Sequence, residues 1–227
     1  MEITWLGQAG LLFDNGKIKI MVDPYLSNSV EKVNPKNFRR FPVDESFFEV
    51  SPDIIIFTHD HLDHYDPETA EKFLTNSRTK ITVLCPSSVF MKVRDWGQGH
   101  NYVIFDRYTE WTEFGFRFYA VKAVHSDPHA IGVIIEDINE KRKYYIAGDT
   151  LYNTEIFNEI PQDIYTLFLP VNGVGNNMNV TDAKRFSERI GAEKIVPIHV
   201  GMFDELTPAI FKGENRVIPE IYKKINS

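Results

Sequence analysis

The stretch that decides the fold is Ile54–Pro67, "IIIFTHDHLDHYDP". It opens on Ile54, Ile55, Ile56 and Phe57, a short β-branched run of the kind that forms a strand buried on both faces. His59 to His64 then place three histidines and two aspartates in six positions, in a chain with seven histidines in all. The stretch closes on a helix start: Asp66 as N-cap, Pro67 at the first helical position and Glu68 in the first turn of "ETAEKFL".

Neutral imidazoles and carboxylates at fixed positions are what a divalent ion requires. In a turn after a strand, His59 and His61 can project to one side, while the adjacent Asp63 and His64 can serve a second ion. One tetrahedral ion cannot use all of these together with ligands from further along the chain, so the excess points to two metals.

Working outward, "EITWLG" and "GLLFDNGKIKIMVD" read as strands. Asn15-Gly16 signals a hairpin, with the type I′ turn that sets positive φ at both central residues. Residues 30–50 lack periodicity and read as a long loop. "KITVLC" reads as a buried strand and "PSSVFMKVRDWG" as a helix stopped by Gly97. "FGFRFYAVKAVH", "IGVIIED" and "KYYIAGD" are three strands in succession, and "IYTLFLPV" a seventh or eighth. "VTDAKRFSERIGA" is a helix with Thr181 as N-cap, Ala183, Phe186 and Ile190 on one face, and Gly191 past its end. "KIVPIHV" is the final strand, and a weaker helix is expected near the C-terminus. Many strands with interspersed helices, no linker and no low-complexity tract indicate a single α/β or α+β domain over residues 1–227. Four strand ends carry ligand-type residues: Phe57 leads to His59, Val124 to His125, Gly148 to Asp149 and Ile198 to His199. On one sheet edge these would converge.

The whole chain narrows the function classes. Its 227 residues are 43% hydrophobic and 25% charged, enough for one large core and unlike a disordered or repeat sequence. The formal net charge of −7 argues against a nucleic-acid partner. No apolar run approaches the roughly 18 residues of a membrane span. "MEITWLG" has no signal-peptide pattern and the single Cys85 has no internal disulfide partner, so a cytoplasmic location is expected. Cys85, before Pro86, reads as a small buried residue, and His100 as a surface histidine.

"MVDPYL", "THDHLDH", "VKAVHSDPHAIGVIIE", "YYIAGDT" and "VPIHVG", in that order, resemble the metallo-β-lactamase fold hydrolases over residues 1–204. That resemblance implies a four-layer αββα sandwich. It implies one metal on His59, His61 and His125, a second on Asp63, His64 and His199, and Asp149 bridging them. Asp23 would hydrogen-bond the ligand loop without touching metal. "AVHSDPHAIGVIIE" and "LPVNGVGNNMNVTDAKRF" are similar to the branch containing L-ascorbate-6-phosphate lactonase.

The chemistry implied is hydrolysis by a hydroxide held between two divalent ions, zinc, manganese or iron, which lower the pKa of water from about 15.7 towards 7. Asp63 would also shuttle a proton to the leaving oxygen. The expected substrate is a small, anionic, sugar-phosphate-like lactone or phosphoester, with His129 and Asn172 as candidate contacts. Arg39, Arg40 and Lys122 are further candidates to meet an anion. The competing readings are a phosphodiesterase or nuclease and a di-iron redox or sensor protein. A homo-oligomer is compatible with the sequence.

Overall fold

The three isoleucines of Ile54–Ile56 divide their side chains between two cores. Ile54 and Ile56 enter one, shared with Phe13, Leu84, Phe118, Val133 and Ile146, and Ile55 enters the other with Phe73, Leu74, Val83 and Val89. This is the period-2 alternation of a strand with apolar layers on both sides. Each such buried side chain stabilises the fold by about 1.5–3 kcal/mol.

In the computed structural model, residues 1–202 and 205–225 are described. The first sheet runs in chain order through β1 (Glu2–Gly7), β2 (Gly10–Asp14), β3 (Lys19–Val22), β4 (Ile54–Ile56), β5 (Thr82–Cys85) and β6 (Asn101–Ile104). Pairing is antiparallel from β1 to β3 and parallel from β3 to β6. The second sheet comprises β7 (Glu110–Glu113), β8 (Phe116–Lys122), β9 (Ile131–Asp137), β10 (Arg142–Ile146), β11 (Ile164–Pro170) and β12 (Lys194–Ile198), laid side by side in that order. It is antiparallel from β7 to β10 and parallel from β10 to β12.

The sheets meet face to face through the larger core. Phe13 of the first sheet packs edge-on against Tyr144 and Phe168 of the second, at centroid distances of 5.6 and 5.8 Å. The helices are α1 (Ser29–Val33), α2 (Pro67–Asn76), α3 (Ser87–Val93) and α4 (Val180–Ile190). Helices α2 and α3 cover the outer face of the first sheet through Ala70, Phe73, Leu74, Val89 and Val93. Helix α4 covers the second, its Phe186 ring 6.3 Å from Tyr145. The result is the αββα layering that the sequence implies. No helix among the described residues is long and apolar enough to cross a membrane.

Several local expectations are corrected. The Asn15-Gly16 hairpin exists, but its strands close at Asp14 and Lys19 on a four-residue loop. Gly16 alone there has positive φ, and Asn15 Oδ1 accepts from the N–H groups of Lys17 and Ile18, so the turn is not type I′. The N-cap of α4 is Asn179 rather than Thr181: Asn179 Oδ1 accepts from Asp182 N at 3.0 Å, and Asn179 Nδ2 reaches back to Asp182 Oδ2 at 3.3 Å. That reciprocal pair starts the helix before Thr181.

Residues 30–50 are not one loop; they end α1 and contain a 3₁₀ turn at Glu45–Glu49. "IYTLFLPV" supplies the eleventh strand rather than the seventh or eighth: "GLLFD" and "KIMV" are separate strands, and the short edge strands "NYVI" and "EWTE" also precede it. Among the described residues the C-terminal part holds a 3₁₀ turn at Pro208–Ile210 and no α-helix. His100 is half-buried, its Nδ1 accepting from Ile81 N at 3.1 Å and its Nε2 2.7 Å from Leu74 O, so it ties the end of α2 to the approach to β5.

Candidate metal centre

Each ligand-type residue follows a strand, and the strands come from both sheets rather than from one edge. His59, His61, Asp63 and His64 follow β4 of the first sheet; His125, Asp149 and His199 follow β8, β10 and β12 of the second. The turn after β4 is anchored before it reaches the site. Asp23, buried just past β3, accepts from Thr58 N at 2.7 Å and from Thr58 Oγ1 at 2.6 Å, and Asp23 Oδ2 lies 2.7 Å from His64 Nδ1. Asp149 depends on Gly148 (φ +63°), where a Cβ would come within 2.7 Å of Ile131 O.

The side chains fall into two groups, His59, His61, His125 and Asp149, and Asp63, His64 and His199. In each group every residue offers a ligand atom within 4.8 Å of the others. Asp149 also faces the second group: its Oδ2 is 3.8 Å from His125 Nε2 and 4.0 Å from His59 Nε2, while its Oδ1 is 3.0 Å from His199 Nε2 and 3.2 Å from His64 Nε2.

The tautomers follow from the partners behind the rings. Thr58 Oγ1 gives its proton to Asp23 and accepts from His59 Nδ1 at 3.1 Å, which leaves His59 Nε2 a lone pair. That Nε2 is buried and has no hydrogen-bond partner. His64 Nδ1 donates to Asp23, and His125 Nδ1 donates to Asn176 O at 3.3 Å, so their Nε2 atoms also face inward. Inward lone pairs converging on a shared carboxylate, one of them orphaned, fit a divalent cation, and the mixed nitrogen and oxygen donors suit zinc, manganese and iron alike.

Electrostatics separate the two groups in the metal-free chain. Burial, aided by His64, holds the His59 imidazole well below the usual histidine range, and burial also lowers His125. Burial acts the same way on His64 and His199, but carboxylates outweigh it. Asp149 and Asp23 push His64 well up, and Asp149 and Asp63 push His199 to about 9. Burial raises the Asp63 and Asp149 carboxyls, but His64 and His199 hold both below the carboxylate range.

The two candidate substrate contacts sit differently. His129 is exposed, with Nδ1 2.9 Å from Ser87 Oγ and 3.8 Å from Asp106, and is not among the grouped side chains. Asn172 Oδ1 accepts from Val174 N, while its Nδ2 is buried without a hydrogen-bond partner. Arg39 is committed to Tyr25 O and Tyr222 Oη, and Lys122 to Glu155. A cavity of about 530 Å³ lies elsewhere, lined by Tyr108, Tyr119, Ile134, Lys143, Glu159 and Ile160 among others.

Three supporting contacts are absent from the motif reading. Asn177 donates to Asp149 Oδ2 at 2.8 Å and accepts from Thr150 N at 3.0 Å. Asp127 accepts from Asp60 N and from Ser88 Oγ, tying the loop after His125 to the β4 turn and α3. Gln8 donates to Asp63 Oδ2 at 2.9 Å. The Asp-Pro in "HSDPHA" and the asparagines of "VNGVGNNMN" signal turns, but nothing local signals these partners.

A family model described as the beta-lactamase superfamily domain matches residues 19–200. A UPF0173 metal-dependent hydrolase of Thermoplasma acidophilum is 29% identical, over 99% of this chain and 98% of that protein. Igni18, a metallo hydrolase from the archaeon Ignicoccus hospitalis, superposes with a TM-score of 0.78 at 19% identity, over 99% of this chain and 97% of that one. The isothiocyanate hydrolase from Delia radicum gut bacteria superposes with a TM-score of 0.76 at 18% identity, over 100% and 99% of the two chains. At these identities the structural likeness speaks for the fold alone.

Proposed function

The chain belongs to the beta-lactamase superfamily, and from that premise we propose that it is a metal-dependent hydrolase that cleaves a lactone or phosphoester of a small, anionic substrate. His59, His61 and His125 would hold one divalent ion and Asp63, His64 and His199 another, with Asp149 facing both groups. The observation that carries this reading is the Asp149 carboxylate. Its Oδ1 is 3.0 Å from His199 and its Oδ2 3.8 Å from His125, so one side chain faces both groups at once. The likeness to relatives named metal-dependent hydrolases supports it.

When bound, the ions supply Lewis acidity towards the substrate oxygen and lower the pKa of water from about 15.7 towards 7. The protein's own part is to orient the ligand nitrogens and to manage protons. Asp23 and Thr58 fix the ring orientations of His64 and His59. Asp63, 3.3 Å from His199 Nε2, is the ionised carboxylate placed to take a proton from the attacking water and pass it to the leaving oxygen. Asn172, in the loop after β11, is the proposed substrate contact; its Nδ2 has no hydrogen-bond partner in the protein. Cys85 takes no part as a nucleophile, because burial pushes its thiol far up. The lactone and sugar-phosphate class rests on the likeness of "AVHSDPHAIGVIIE" and "LPVNGVGNNMNVTDAKRF" to the lactonase branch.

The test is elemental analysis of the metal-replete protein, followed by hydrolysis assays on phosphorylated lactones and phosphodiesters. Two ions per chain and a chelator-sensitive ester hydrolysis are expected. One ion per chain, or a fully loaded protein inert to both ester classes, overturns the reading.

A further inference from the structure

We propose that Gln8 is the positioning residue of the Asp63–His64–His199 group, fixing Asp63 and His199 to each other across the seam between the two sheets. The inference rests on reading those side chains as metal ligands. Gln8 lies between β1 and β2, outside every ligand motif, and is buried at 4% exposure. Its Nε2 donates to Asp63 Oδ2 at 2.9 Å and lies 3.3 Å from both ring nitrogens of His199. Its main-chain oxygen accepts from His199 N at 2.9 Å and from the Trp5 indole N–H at 2.9 Å. One residue in the turn between β1 and β2 thus bonds the carboxylate of one ligand and the backbone N–H of another, with its amide packed against the ring of the latter, which follows a strand of the second sheet.

The orientation of the amide is dictated by its partner. An ionised carboxylate only accepts, so the N–H edge must face Asp63 and the oxygen must face away. That oxygen, Gln8 Oε1, is buried without a hydrogen-bond partner. The backbone is unusual as well, with φ at +50°, a region a glutamine seldom adopts. A local minimum would avoid both features. They persist where surrounding bonds over-determine the conformation, as the Trp5 and His199 bonds to the Gln8 carbonyl do here. A residue kept for packing alone would be better served by an apolar side chain of the same length, since that carries no unpaired oxygen.

Gln8→Met supplies the test, because it keeps the length and removes the donor. Metal-free protein is titrated with zinc against a chromophoric chelator, and circular dichroism follows the melting of the metal-free chain. His61→Ala serves as the reference for loss of the other group. In the wild type two zinc steps are expected. Gln8→Met should leave one step unchanged and weaken the other by about 10–100-fold, whatever the loss of the Asp63 donor does to the metal-free melting temperature. Gln8→Asn tolerates the positive φ but withdraws the amide by one methylene, and it should show the same selective loss; it carries the test should Gln8→Met not fold. Two wild-type zinc steps in both variants would overturn the assignment to Gln8 and leave the metal reading standing. So would equal weakening of the two steps, or a lower melting temperature with unchanged zinc affinity. A wild-type chain that takes up no zinc would overturn the metal reading itself, and this inference with it.

Discussion

His59, His61 and His125 form an all-imidazole group open to solvent only at His61 and the His125 backbone, whereas Asp63, His64 and His199 form a buried group crowded by carboxylates. In the first, His61 and, through its backbone, His125 are only partly buried. The rings rest on neutral partners: the Thr58 hydroxyl, the Ser126 hydroxyl and the Asn176 carbonyl. Burial keeps His59 and His125 proton-free. In the second group, His64 and His199 are almost wholly buried, yet Asp149, Asp23 and Asp63 press protons onto them. An ion entering the first group finds ligands ready, while one entering the second must displace protons. The same two sheet ends prepare ligands in opposite ways, by dehydrating imidazoles and by pairing them.

The strongest way to break this contrast is to remove what the groups share. Asp149→Asn should lower turnover by about 100-fold or more, since even partners behind metal ligands cost 10–100-fold. It should weaken both zinc steps, because two cations would face each other with less charge between them. Circular dichroism should show the sheets intact, as they are held by apolar strands such as Ile54–Ile56 and Ile131–Ile135. Retention of both ions and of turnover would mean that the two groups do not act through Asp149.

Asp23→Asn should separate the groups. Asp23 takes three donors, Thr58 N, Thr58 Oγ1 and His64 Nδ1, and an amide cannot accept all three at both of its ends. The buried group should lose about 10–100-fold in zinc affinity and the surface group only a few-fold, through the slackened Thr58. Equal losses, measured by the same chelator competition, would merge the groups into one.

Sequence alone exposes the grouped histidines and aspartates and hides much of what holds them. Histidine and aspartate at strand ends are few, and metal chemistry restricts the residue types, so all the grouped side chains can be read from motifs. Asp66 as a cap is equally legible, because cap, Pro67 and Glu68 are local. The α4 cap is local too, but Asn179 and Thr181 are both good caps, and only the reciprocal Asp182 bond decides between them. Gln8 with Asp63, Asp60 with Asp127, and Asn177 with Asp149 are pairs brought together only by the fold. His100 misleads for the same reason, since its partners Ile81 and Leu74 lie on other elements. The edge strands β6 and β7 are missed because four-residue, half-exposed strands carry little hydrophobic pattern.

A milder probe uses pH on the metal-free chain. His199 titrates near 9 when folded against 6.5 for the ordinary histidine of an unfolded chain, so the native state holds the extra proton in that interval. Its contribution to stability is complete below pH 6.5 and is lost as the pH rises through 9. His64 is shifted in the same direction. His59 and His125 are shifted down and add no pH dependence above 6.5, nor do the depressed Asp63 and Asp149. The metal-free melting temperature should therefore fall by several degrees between pH 6.5 and 9, at roughly 2–4 °C per kcal/mol for a chain of this size. With zinc bound, those nitrogens are committed and the fall should vanish. A flat metal-free profile would remove the electrostatic half of the contrast.

The smallest effect is expected where the surface group meets solvent. Ser126 is exposed, and its Oγ lies 3.2 Å from His61 Nε2. This is the surface counterpart of the Asp23–His64 contact, with a neutral hydroxyl in place of a buried carboxylate. A neutral hydrogen bond contributes about 0.5–1.5 kcal/mol, and water can replace the lost hydroxyl at an exposed position, so the low end applies. Ser126→Ala should then weaken only the surface group's zinc step, by about threefold or less, with no change in the metal-free melting profile. The ratio of this loss to that of Asp23→Asn measures how much more the buried group depends on what lies behind its rings. A Ser126→Ala loss as large as that of Asp23→Asn would show that exposure does not set that dependence, and the contrast would have to rest on protons alone.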